Sequence, residues 1–172
     1  MTIKQVTIVY VVALLLQLSF LNVLTIAGAT PNLLLCLTVV IIFKFENGFR
    51  CIPFALVAAL LQDIFCSLYV GVTALSLFVV ACLVAWYRIY FNTDLYKTTM
   101  TVGALATLVY GVVNWLLMTI LHSGYGFLYM LKHQIFYVPY NVLVMAAIFF
   151  FFSDRFRNWL QLQREDDDEE EL

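Results

Sequence analysis

Apolar residues run through this chain in long unbroken blocks, separated by short polar or turn-forming segments. The blocks fall at about 6–24, 32–45, 51–69, 72–91, 99–121 and 135–152, most of them near the roughly 20 residues a helix needs to cross a hydrocarbon core. Barrel strands alternate apolar and polar positions; these blocks do not, so helices are the expected elements. The second block is short, and Lys44, Glu46 and Arg50 compress the turn that joins it to the third. The pattern predicts an all-α integral membrane protein, with a six-transmembrane-helix bundle over residues 1–153 and a tail over 154–172.

Composition excludes the main alternative. Apolar residues make up 64% of the 172 positions and charged residues 12%, about half the roughly 25% charged residues of soluble domains. Mean hydropathy is +0.96. Seven of the eleven acidic residues lie in the run 165–171 (EDDDEEE), and residues 1–153 hold six Lys/Arg against three Asp/Glu, a net of +3. So few charges do not cover a water-soluble surface, and no clustered basic face suggests nucleic acid.

Charge also gives an orientation. With both ends cytoplasmic, the inner segments hold Lys4, Lys44, Arg50, Arg88, Lys97, Arg155, Arg157 and Arg164, and the outer loops hold Lys132. That asymmetry obeys the positive-inside rule. Trp86, Tyr87 and Tyr90 gather at the inner end of the fourth span, where amphipathic rings favour the interface. Ala27-Gly28-Ala29 resembles a small-x-small cleavage site, but the first apolar block exceeds the 7–15 residues of a signal peptide, so a retained anchor is expected. Residues 154–164 are expected to carry the sixth helix into the interface, and the acidic run beyond to be disordered by self-repulsion.

Few residues suggest chemistry. Cys36, Cys51, Cys66 and Cys82 form no CxxC pair and read as packing residues. No hydrolase triad, HExxH, Walker loop or GxGxxG occurs, and no cofactor is expected. Polar groups inside the spans say more. Asp63 lies well inside the third, where a carboxylate facing lipid costs at least about 2.5–3.5 kcal/mol, so it is expected to face protein or water. Ala55, Ala59, Asp63 and Ser67 recur every fourth residue and lead to Gly71, with Ala58, Gln62 and Cys66 beside them. Such a small and polar stripe lets helix backbones approach closely, a face for helix packing or partner docking. Asp63 then either lines a cavity or relays protons, or is a hydrogen-bonded residue fixing the turn into the fourth span. The absence of a second ionisable group at similar depth favours the latter. Gly103, Thr107 and Gly111 form a small-residue ridge on the fifth span with Asn114 one turn on, and Asn141 follows Pro139, which is expected to kink the sixth. Asn114 and Asn141 are a potential pair. Pro31 and Asn32 open the second span.

Residues 30–83 resemble the core of the bacterial rod shape-determining MreD family. That family pairs a Pro-Asn/Asp opening a Leu-rich span with a Gly-bearing turn, then a small-residue helix ending in Leu-x-Asp and a Gly-x-x-Ala-Leu opening the next span. Here these features fall on Pro31-Asn32, Gly48, Gln62-Asp63 and Gly71-Val72-Thr73-Ala74-Leu75. Ser67-Leu68-Tyr69 stands where the family often has glycine. The resemblance implies a non-enzymatic component of the elongation machinery in the bacterial cytoplasmic membrane. Its implied partners are an MreC-like membrane protein, an MreB-like filament, and RodA and penicillin-binding-protein synthases. MreD-like bundles are also similar in architecture to the substrate-binding S components of energy-coupling-factor (ECF) vitamin transporters. That alternative expects polar and aromatic residues, such as His122, Tyr125, Tyr129 and His133, to converge on an outward cavity.

Overall fold

The structure is a computed structural model that describes residues 3–19, 30–45, 48–90, 95–122 and 126–153. These residues form six α-helices: α1 Ile3–Ser19, α2 Leu33–Lys44, α3 Ile52–Cys66, α4 Val72–Tyr90, α5 Leu95–Ile120 and α6 Phe127–Ser153. A 3-10 turn, Gly48–Cys51, leads into α3, with Pro53 in the first turn where its missing N–H costs nothing. No strand occurs among the described residues. Four helical segments are long and apolar enough to cross a membrane: Gly48–Cys66, Val72–Tyr90, Tyr96–Ile120 and Phe127–Phe152. α1 and α2 are apolar but shorter, at 17 and 12 residues.

The shortest helix is the centre of the bundle. Every residue from Leu34 to Phe43 is buried, and α2 packs against every other helix. A helix apolar on all sides belongs in such a place. At 1.5 Å per residue, α2 extends about 18 Å, well under a bilayer core. Its neighbours are instead buried on one face only. Ile8, Val12 and Leu15 on α1, Val57 and Ile64 on α3, and Leu143 and Phe150 on α6 are exposed. An outer surface this apolar is suited to lipid, not water. α5 and α6 pack through the small-residue ridge: a β-carbon on Gly103 would collide with the thioether of Met145.

Helix ends depart from the sequence expectation by three residues or more at four places, one of them the start of α1 at Ile3 instead of 6. α6 begins at Phe127 instead of 135, so Tyr129, Lys132 and His133, expected in an outer loop, are helical. Lys132 interrupts the apolar run that marked the span, yet Leu, Met, Lys and Gln are all good helix formers. α5 likewise starts at Leu95, four residues early. α3 stops at Cys66, short of 69, because Ser67 turns to extended backbone (φ −114°, ψ 146°). α6 runs through Pro139 as one helix. The small-x-small site at 27–29, residues 20–24 of the first block, Glu46, Tyr125 and the tail from 154 lie outside the described residues.

Candidate functional site

The α3–α4 junction is organised by one carboxylate. Asp63 is fully buried. Its Oδ2 accepts from the backbone N–H groups of Gly71 (2.9 Å), Thr73 (2.9 Å) and Ala74 (3.4 Å), and its Oδ1 from the Ser67 hydroxyl (3.3 Å). A helix start leaves its first N–H groups without helical partners, and a carboxylate there meets both that need and the helix dipole. The turn closes because Gly71 takes φ +96°, which side chains with a β-carbon rarely adopt. Ala59 and Ala55, one and two turns before Asp63, have no exposed surface. The stripe therefore packs inside the bundle, and its buried members offer no open face to a partner. The reason is packing: α3 lies against both α4 and α1.

The start of α2 is held differently, by neutral amides from three places in the chain. Asn32 caps its own helix, its Oδ1 accepting from Leu35 N–H at 3.0 Å. Gln17 of α1 spans the entry, donating Nε2–H to the Pro31 carbonyl (3.1 Å) and accepting Leu33 N–H at Oε1 (2.7 Å). Asn141 of α6 accepts Asn32 N–H at 2.9 Å, and its carbonyl accepts from the Cys36 thiol at 3.5 Å. Asn141 thus turns to Asn32, not to the expected partner Asn114. Pro139, two residues before it, removes the N–H that would bond the Ile135 carbonyl within the helix.

A polar cavity of about 200 Å³ opens beside this helix start. Gln17 and Asn32 form one wall, Gln62 of α3 another, and Tyr110, Asn114, His133 and Gln134 of α5 and α6 the rest. Gln134 fits because position 111 is glycine: a β-carbon there would overlap its amide, 2.5 Å from Cδ. Three buried amide atoms find no hydrogen-bond partner among the described residues: Gln62 Oε1, Gln134 Oε1 and Asn141 Nδ2. Such atoms are uncommon in folded proteins, because each carries a desolvation cost of about 1–3 kcal/mol.

Of the aromatic and imidazole side chains expected around an outward cavity, His133 lines it. His122 and Tyr129 are exposed and do not. Gln17 and Gln134 were not among the sequence candidates, although both are amides inside apolar stretches. The far end of α2 is closed. Arg88 donates to the Phe45 carbonyl, Gly48 N–H reaches the same oxygen at 2.9 Å, and Lys44 Nζ lies 4.4 Å over the Phe149 ring. A β-carbon on Gly48 would collide with the Ile41 carbonyl and lie 2.6 Å from Ile42 Cα. Among the described residues no three His, Cys, Asp or Glu side chains gather as metal ligands.

No family model matches the chain, and no curated protein or solved structure matches it either.

Proposed function

We propose that this chain is a non-enzymatic membrane scaffold of the bacterial cell-elongation machinery, of the MreD type. In this reading six helices sit in the cytoplasmic membrane with both termini inside, so that the polar cavity faces outward and the sealed end of α2 inward. The apolar flanks meet lipid and partner helices, and the outward mouth meets the membrane-proximal stem of an MreC-like protein. Through that partner the bundle serves lateral peptidoglycan synthesis by RodA and penicillin-binding-protein synthases beneath an MreB-like filament.

One observation supports the reading above others. The positions that carry the family resemblance are the ones that build the helix junctions. Pro31 and Asn32 start α2, Gly48 permits the tight return after it, and Asp63 and Gly71 close α3 onto α4. Depleting the protein in a rod-shaped host is expected to round the cells and disperse lateral wall synthesis, and affinity purification from mildly solubilised membranes to recover an MreC-like partner. Unchanged shape and no such partner would sink the proposal. The alternative, a substrate-binding subunit of a vitamin-type transporter, is favoured by the cavity itself. It would win if depletion lowered vitamin uptake and left shape intact.

A further inference from the structure

α4 and α5 are joined by a short segment and leave an apolar groove of about 250 Å³ between them. Its floor is buried Val84, Val102 and Ala106, and its rims are exposed Leu83 on α4 and Leu105 on α5. The α5 side of the groove runs from Thr101 to Val109, about 12 Å of helix rise. The mean cross-section is therefore about 20 Å², against roughly 80–110 Å² for a helix 10–12 Å across. A single methylene chain fits such a slot; a partner helix does not.

The groove changes character along its length. Its far end, at Val80 and Val109, is aliphatic. At the near end Trp86 is 61% exposed, edge-on to Tyr90 at 5.3 Å, and Thr101 faces it across the slot. Lys97 is exposed one turn before Thr101 on the same side of α5, and the Thr101 hydroxyl donates to its carbonyl at 3.0 Å. Amphipathic rings and a lysine with a long apolar stem belong at headgroup level in a bilayer. Neither helix contains Asp or Glu, and Arg88, the other cation of the pair, turns away to the Phe45 carbonyl. Asp94 stands three residues before Lys97 in the sequence, which disfavours a group bringing several negative charges. The groove thus matches an amphiphile with a long aliphatic chain and one negative charge.

We infer that this groove holds one acyl chain of a membrane glycerophospholipid, whose phosphate is held at Lys97. Basic sites between transmembrane helices recognise lipid phosphates in this way. The inference goes beyond the scaffold reading and concerns the isolated chain, so it stands or falls without a protein partner.

The test uses the purified full-length chain in detergent and reads bound lipid by native mass spectrometry. The probe is dioleoyl phosphatidylglycerol, and the comparison is dioleoylglycerol, which has the same chains and no phosphate. One phosphatidylglycerol is expected per chain, bound at least fivefold more tightly than dioleoylglycerol. Lys97→Gln is expected to weaken phosphatidylglycerol about fivefold, the effect of one cation at a lipid surface, and to leave dioleoylglycerol unchanged. Ala106→Phe, which fills the floor, is expected to weaken both. Equal affinities for the two lipids, or equal losses of both in Lys97→Gln, would overturn the inference, and neither comparison needs a core variant to fold. Undiminished binding by a monodisperse Ala106→Phe would overturn it as well. A dimer that carries no lipid and is separated by Ala106→Phe would assign the groove to a second copy, and so would also overturn it.

Discussion

Two helices start at the same end of this bundle, and they are capped by opposite strategies. α4 is capped by a single charged group, Asp63, whose two oxygens serve three backbone N–H groups and one hydroxyl. α2 is capped by three neutral amides drawn from α1, α6 and its own N-cap. A carboxylate only accepts, so surrounding it with donors satisfies it completely and leaves a closed joint. A primary amide both accepts and donates: Gln17 meets both needs at once, while Asn141 accepts from Asn32 N–H through its oxygen. The first junction is therefore closed by one residue, while the second is assembled from three and borders a polar cavity. The difference teaches that a carboxylate cap closes a joint between adjacent helices alone, whereas amide caps tie together helices distant in the chain.

Substitutions can break or sharpen this contrast. The largest effect is expected from Asp63→Leu, which strands three N–H groups together: a loss of about 3 kcal/mol or more, read as a lower melting temperature in detergent. Asp63→Asn, which keeps one acceptor oxygen, is expected to lose about half as much, and equal losses would show that charge and not hydrogen bonding holds α4. Gln17→Leu strands the Pro31 carbonyl and the Leu33 N–H, with an expected cost of about 1–2 kcal/mol. Asn141→Leu removes one useful bond and one unpartnered nitrogen together, so about 1 kcal/mol is expected from the same melts. The smallest effect belongs to Gln134→Leu, expected within about 0.5 kcal/mol of wild type or stabilising, because its lost oxygen has no partner to strand. A Gln134→Leu loss as large as that of Gln17→Leu would erase the distinction between working and surplus amides.

Much of the helix layout was legible in the hydrophobic pattern. α2 and α4 fall within a residue of their expected bounds, since Pro31-Asn32 and Gly71 mark real starts. The burial of Asp63 followed from the cost of a carboxylate in lipid, and the i+4 stripe correctly turned it inward. Its partners were less accessible, because they are backbone N–H groups whose direction depends on how the chain folds back after Ser67. α6 starts eight residues before the apolar run at 135 because Lys132 and Gln134 interrupt that run without interrupting the helix. Gln17 lies within a span, but a neutral amide stands out less among apolar residues than a charge does. The rule that polar groups in a span face protein applies to it equally. Nothing local in sequence foretells that Asn141 serves Asn32, 109 residues away.

The central position of α2 has a consequence for biosynthesis. It follows α1 among the described helices, is too short to rest across a bilayer alone, and depends on α5 and α6 for much of its covering. Its first N–H waits for Asn141, and at about 5–20 residues per second that wait lasts roughly 5–20 s. Until then the nascent chain holds an unfinished core, and a product truncated before α6 is left with α2 uncovered, a natural target for membrane proteolysis. Among the described helices, the last to be made completes the surroundings of the second.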